Sequence, residues 1–348
     1  METIIIGVMD SNIGGINRFI IDYIKLNNQK YNFVILTNGD IQDAYKKEIK
    51  PNTIIEQISS ITNPFKLYRI SCKIFKDIQP SCVYLNISTN LFYPIIKAAF
   101  DCGIKERIVH SHSSYSADES LFKRIIIVLL NNLLKNKMNK LATQKKACSD
   151  IAAKWLFGEK VEYQFIYNKI DGHKFEFSKI VRERIRKELN IEKSLIIGYV
   201  GGFNYQKKIE WFIELAIKLK KYRKDFFILM LGDGIRIKNF EQKLKQKKLE
   251  KNFILLGNKS NANEYYNVFD CFVLPSRFEG LPIVGVEAQV NGLPCFFSDT
   301  ITKQVQITKN CVFFNNRKYE IINDLVDLNI RNDIGGNPPL ENYKDFIY

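Results

Sequence analysis

The chain has 348 residues, 46% of them hydrophobic, which is too long for one hydrophobic core and apolar enough to build two. Its longest uncharged apolar run, residues 125–134, is about half the roughly 20 residues that a membrane span needs. The start lacks the basic head and cleavage site of a secretory signal, so a soluble, non-exported, cytoplasmic chain is expected. A net charge of +15 admits nucleic acid, anionic membrane or phosphorylated substrates as partners. No nucleic-acid motif accompanies that charge, and an A/T-rich coding composition would supply part of it.

In chain order, residues 4–8 read as a buried strand, followed by the loop Asp10-Ser11-Asn12-Ile13-Gly14-Gly15-Ile16-Asn17 and a helix over 16–26. The paired glycines Gly14 and Gly15 let the backbone approach a ligand closely. Strands follow at 33–37, 83–85 and 108–110, the last ending in Arg107-Ile108-Val109-His110-Ser111-His112. Residues 121–137 form a helix, read as a buried core helix with charged ends. Docking of a basic edge on anionic membrane is its functional alternative. A strand is expected over 141–147, then a turn-rich linker at 167–172.

The second half repeats the rhythm, with strands at 195–200, 226–231, 253–256, 271–274, 295–297 and 311–314. Helices are expected at 209–222, 240–249, 264–269 and 283–290. This alternation predicts an α/β protein of two doubly wound parallel sheets, facing across a cleft, with ligands beyond the carboxyl ends of the strands. Domains are expected at 1–168 and 169–330, with 331–348 packing back toward the first. Seven scattered cysteines without a C-x-x-C pair suit reduced thiols better than disulfides or zinc.

The most informative segment is Leu274-Pro275-Ser276-Arg277-Phe278-Glu279-Gly280-Leu281-Pro282-Ile283-Val284-Gly285-Val286-Glu287-Ala288. A strand ends at Leu274, and Pro282 suits the first position of the next helix. The N–H groups of Gly280 and Leu281 are then unpaired, with a helix dipole behind them, and form an anion or hydroxyl site. Glu279 could reach sugar hydroxyls, and Glu287 could bind a diol such as a ribose.

That segment resembles the E-x7-E motif of glycosyltransferase family 4. Gly201-Gly202-Phe203-Asn204-Tyr205-Gln206-Lys207 resembles the family's G-R-x-x-x-x-K phosphate loop, with Lys207 at the lysine. Leu231-Gly232-Asp233-Gly234 matches its L-G-D-G turn, and Asn258 falls where such enzymes hold the nucleotide base. The resemblance covers residues 194–299. It implies the GT-B fold, with an acceptor-side first domain and a nucleotide-sugar-binding second domain. The implied activity is a retaining transfer from a nucleotide-sugar, in particular a UDP-sugar, to a glycan or lipid-linked acceptor. Segments such as 147–158 look like those of bacterial capsule and exopolysaccharide enzymes, which implies cell-surface polysaccharide synthesis at the inner face of the membrane.

By the same resemblance the donor is held by Gly14, Gly15, Gly202, Lys207, Gly232, Asn258, Glu279, Gly280, Leu281 and Glu287, and catalysis involves His112, Lys207 and Glu279. His112 would bond a hydroxyl of the transferred sugar, while His110 is expected to face the other way and be structural. With no D-x-D and no cluster at ligand spacing, neither metal nor other cofactor is expected, and charge on the leaving diphosphate is met electrostatically. One departure stands out: the family's arginine is Gly202 here, and a guanidinium is not replaced by a lysine elsewhere. A weakened or non-catalytic partner subunit is therefore the alternative. So is an epimerase of the same architecture, although it would lack E-x7-E.

Overall fold

The computed structural model describes residues 1–331 except 12, 13, 42, 50–52, 117–119, 319 and 330. The chain divides into two compact units, Met1–Asn168 and Lys169–Tyr348, each built on its own sheet. The expected return of residues 331–348 lies outside the described residues, save Arg331.

The first unit carries β1 (Glu2–Met9), β2 (Tyr31–Thr37), β3 (Ile54–Gln57), β4 (Cys82–Ile87), β5 (Glu106–Ser111), β6 (Gln144–Ala147) and β7 (Gln164–Phe165). Its helices are α1 (Gly15–Asn27), α2 (Asp43–Lys46), α3 (Pro64–Ile78), α4 (Tyr93–Asp101), α5 (Leu121–Leu141) and α6 (Asp150–Leu156). All strand pairs are parallel, in the order β3-β2-β1-β4-β5-β6-β7. Strands buried on both faces read as continuous apolar runs, and β4 is buried along its whole length. One face of the sheet is covered by α3, α4, α5 and α6, the other chiefly by α1. Gly7, in mid-strand, has no space for a side chain: a Cβ there would lie 2.7 Å from that of Leu36.

Serine and asparagine caps set the helix starts. The Asn63 side chain accepts from the Lys66 N–H ahead of α3, Ser120 accepts from Lys123 at α5, and Ser149 from Ala152 at α6. The expected strand over 141–147 is shortened at its front. The 3.6-residue line Arg124, Asn131, Met138 stays buried, so the helix runs on through Leu141 and β6 begins at Gln144. Edge strands β3 and β7 are short and largely exposed, and lack the apolar run that marks the others.

The second unit opens with α7 (Lys179–Glu188). Its strands are β8 (Leu195–Val200), β9 (Phe226–Leu231), β10 (Phe253–Gly257), β11 (Cys271–Leu274), β12 (Cys295–Ser298) and β13 (Cys311–Phe314). Between them lie α8 (Trp211–Leu219), α9 (Ile237–Lys247), α10 (Ala262–Tyr265), α11 (Ile283–Val290) and finally α12 (Ile322–Asp327). The order is β10-β9-β8-β11-β12-β13, again parallel. The order reverses at the β8–β11 pair, so the loops leaving these two strands are neighbours although over 70 residues separate them. The Asp270 carboxylate, fully buried, accepts from Arg182 (2.5 Å), Arg186 and the Ile196 N–H, and clamps α7 to the sheet. The seven cysteines are unpaired.

Candidate active site

In the second unit the loops after β8, β9 and β11 meet backbone to backbone. Gly201 and Gly232 touch so closely that a Cβ on Gly232 would fall 2.0 Å from the Gly201 carbonyl oxygen. A Cβ on Gly234 would lie 2.5 Å from the Phe203 oxygen. The Phe203 N–H donates to the Asp233 carbonyl (2.9 Å) and the Arg236 N–H to that of Phe203 (3.0 Å). Gly232 thus works as a backbone contact that holds the 201–207 loop. Gly202 differs, because its Cβ position has only Asn204 Nδ2 at 3.1 Å and the Asp233 oxygen at 3.7 Å nearby.

This arrangement brings Lys207 to Glu279. Lys207 Nζ donates to Glu279 Oε1 at 2.7 Å, and Gln206 Nε2 donates to Oε2 at 2.8 Å, so both carboxylate oxygens are engaged. The pair is 15% and 7% exposed, which reduces solvent screening. Asn204 Oδ1 accepts from the Lys207 N–H at 3.1 Å and fixes the loop under it. Among the described residues the Gly280 and Leu281 amides, both on buried residues, donate to none. They open onto α11, whose first residue is Ile283. Pro282 is its extended N-cap (φ −72°, ψ 104°), one position earlier than expected. Glu287, on α11, accepts from the buried Tyr266 hydroxyl at 2.5 Å. Asn258 is exposed just past β10, after Gly257 with its positive φ of 65°.

Both nearby cations, Lys208 and Arg277, are engaged by protein groups. Lys208 Nζ donates to the Asn316 carbonyl (2.9 Å) and Oδ1 (2.8 Å), and burial beside Arg277 holds its pKa below the usual lysine range. Arg277 lies against the loop, stacked 4.5 Å from the Tyr205 ring centroid and donating to the Tyr205 carbonyl at 3.2 Å.

In the first unit, Gly14 is the N-cap of α1 and Gly15 its first residue, with open space where a Gly14 Cβ would stand. Residues 12 and 13 of that loop lie outside the described residues. Asn17 ties the loop to α1: its Nδ2 donates to the Asp10 carbonyl at 2.9 Å, and its Oδ1 accepts from the Asp10 N–H at 3.2 Å.

Just past β5, His112 Nε2 lies 2.9 Å from Asn86 Oδ1. With the amide oxygen as acceptor, Nε2 carries the proton and Nδ1 keeps a lone pair. Burial against Phe19 and His110 pushes the His112 pKa down to about 3, so the ring is neutral at physiological pH. The expectation that His110 faces the opposite side is wrong. Residues i and i+2 of a strand share a face, and the two rings are 4.0 Å apart. His110 is nevertheless buried, its Nδ1 3.0 Å from the Tyr84 hydroxyl.

In each unit there are also groups the sequence did not single out: in the second, Gln206 and Asn204 around Lys207 and Tyr266 behind Glu287; in the first, Asn86 behind His112. Tyr266 was legible only as one residue of an expected helix over 264–269. The chain there breaks into α10 and a single tight turn, Tyr266–Val268, that turns the ring inward. Among the described residues no group of three or more His, Cys, Asp and Glu could hold a metal.

Two doubly wound parallel sheets in separate units, with a cationic glycine loop and a G-L-P helix entrance in the second, define the GT-B class of glycosyltransferase. HepE of Anabaena, crystallised with UDP-glucose, shares this fold, with a TM-score of 0.76 at 16% identity over 94% of this chain and 90% of that one. The description "Glycosyl transferases group 1" matches residues 181–342. EpsF of Bacillus subtilis (strain 168), a glycosyltransferase by name, is 30% identical over 305 residues, 84% of this chain and 78% of that protein. The capsular polysaccharide biosynthesis glycosyltransferase CapH of Staphylococcus aureus is 26% identical over 287 residues, 80% and 76% of the two chains. The chain belongs to the group 1 glycosyl transferases, family 4 of the glycosyltransferases, and is an enzyme of glycosyl transfer.

Proposed function

We propose that this enzyme transfers a sugar from a UDP-sugar, with retention and without a metal, to a glycan or lipid-linked saccharide in cell-surface polysaccharide synthesis at the cytoplasmic side of the membrane. The observation that carries the reading is the Lys207–Glu279 pair beside the Gly280 and Leu281 amides, which donate to no partner among the described residues. A diphosphate takes Lys207 and the loop amides as its counter-charge, with the dipole of α11 adding to them. Glu287, oriented by Tyr266, takes the ribose diol, and Asn258 the base.

Glu279 is held at both oxygens by Lys207 and Gln206, which suits a carboxylate that orients sugar hydroxyls better than one that attacks carbon. The bond from C1 to the leaving phosphate oxygen breaks as the acceptor oxygen bonds C1 on the same face. The acceptor proton passes to the departing diphosphate. His112, neutral, uses Nδ1 to accept a hydrogen bond from a sugar hydroxyl. The uridine donor is supported by the UDP-glucose complex of HepE, and the polysaccharide setting by the name of CapH.

The test is a panel of nucleotide-sugars followed by thermal shift and UDP release, with the product's anomeric configuration read by NMR. Stabilisation by one UDP-sugar and a retained configuration are expected. An inverted product, or no stabilisation by any uridine nucleotide, overturns the reading.

A further inference from the structure

α5 is turned the wrong way round for a core helix. Its buried line is Arg124, Asn131 and Met138, and its outward ridge is Leu121, Phe122, Ile125, Leu129 and Leu133. Phe122 is 72% exposed and Leu133 71%. The polar line is the one that is fixed. Asn131 Oδ1 accepts from the Asn90 N–H at 2.7 Å, and its Nδ2 donates to the Trp155 carbonyl at 3.0 Å. These bonds determine which way the helix faces, so the apolar ridge cannot roll inward. The sequence reading of α5 as a buried core helix is thereby corrected.

The ridge has a charge signature. The helix has no acidic residue, and its exposed lysines Lys123, Lys137 and Lys140 flank the apolar stretch. On the same side of the sheet, α4 packs against both α3 and α5. α3 there exposes Phe65 beside Lys66, Arg69 and Lys73. No helix among the described residues is long and apolar enough to cross a membrane.

We infer that the α3–α5 face docks on an anionic lipid surface, with α5 lying in the interface plane, its leucines and Phe122 among the acyl chains and its lysines at the headgroups. An apolar ridge flanked by cations of one sign fits a lipid surface. It fits a second copy of this chain poorly, because a two-fold contact would set lysine against lysine. The inference goes beyond the glycosyl-transfer reading, since lipid binding requires neither donor nor acceptor.

The experiment is sedimentation of the full chain with vesicles of phosphatidylglycerol and phosphatidylcholine, or of phosphatidylcholine alone, across a salt series. Light scattering gives the oligomeric state. The parent should pellet with the anionic vesicles and be released as salt rises. The variant Leu129→Asp/Leu133→Asp should keep the parental melting temperature, because both positions are exposed, and lose binding at least tenfold. Replacing Lys123, Lys137 and Lys140 by Gln should weaken binding about fivefold per lysine at low salt, from about 1 kcal/mol for each basic residue near the surface. A parent that stays in the supernatant at low salt overturns the inference. So does a dimer that the double aspartate variant splits while vesicle binding is unchanged.

Discussion

Replacing Gly202 by arginine should raise turnover on the native substrates. The structure bears on both objections to this change. A strained backbone is one, yet Gly202 has no left-handed φ, and its Cβ would find only the end of the Asn204 side chain within 3.5 Å. The same change at Gly232 or Gly234 would drive Cβ into backbone oxygen at 2.0 or 2.5 Å, so these serve as controls that should unfold or lose activity. A clamp already rebuilt is the other objection, and Lys208 is committed to Asn316 while Arg277 is stacked on Tyr205. Loss of glycine's unfolded-state entropy stabilises by about 0.4–1 kcal/mol. The shift of Asn204, which also holds the Lys207 N–H, offsets a similar amount. The net change in melting temperature should stay within about 4 °C. A preorganised donor on developing charge contributes about 3–4 kcal/mol, and half of that for an imperfectly placed guanidinium is about 10- to 30-fold in kcat. The assay is UDP release under saturating donor, alongside a thermal melt. A variant that melts like its parent yet turns over more slowly would refute the argument.

Lys207→Ala should lower kcat by about 10²-fold or more, as expected for loss of a cation on the leaving group, and unchanged turnover would remove this loop from the reaction. Glu287→Ala should weaken UDP binding by about 1–3 kcal/mol by calorimetry, and Tyr266→Phe by less, because it removes one partner of the carboxylate and keeps the carboxylate itself. Turnover should survive saturating chelator, and a complete loss restored by manganese or magnesium would overturn the electrostatic mechanism. Burial lowers the pKa of both His110 and His112 below the ordinary 6.5, that of His112 to about 3. Unfolding takes up protons below pH 6.5, so the stability the His112 ring contributes is full above that pH and drains as pH falls toward 3. The slope is about 1.4 kcal/mol per pH unit for that ring. His112→Gln should flatten the urea-midpoint slope between pH 6.5 and 5, and identical slopes would show that the ring is protonated normally.

Much of the second unit was legible because its signals are local. Each strand from Leu195 to Phe314 is a short apolar run, and the turn after β9 carries Gly232 and Gly234, which backbone contact demands. In the first unit α3, between β2 and β4, and α4, between β4 and β5, were not singled out, because charged residues break their apolar stretches and leave no run as pure as those of the strands. Period and turn chemistry are written within windows of about ten residues, so the alternation of strand and helix, and with it the parallel α/β class, follows from the sequence by itself. Which strands become neighbours is not written there. The reversal at β8–β11 set Lys207 and Gln206 on Glu279 across 72 and 73 residues of chain. Tertiary packing also decided which side of α5 was covered. An amphipathic period marks two faces, but the hydrogen bonds of Asn131 to Asn90 and Trp155 chose the polar one as the inside and left the leucines out.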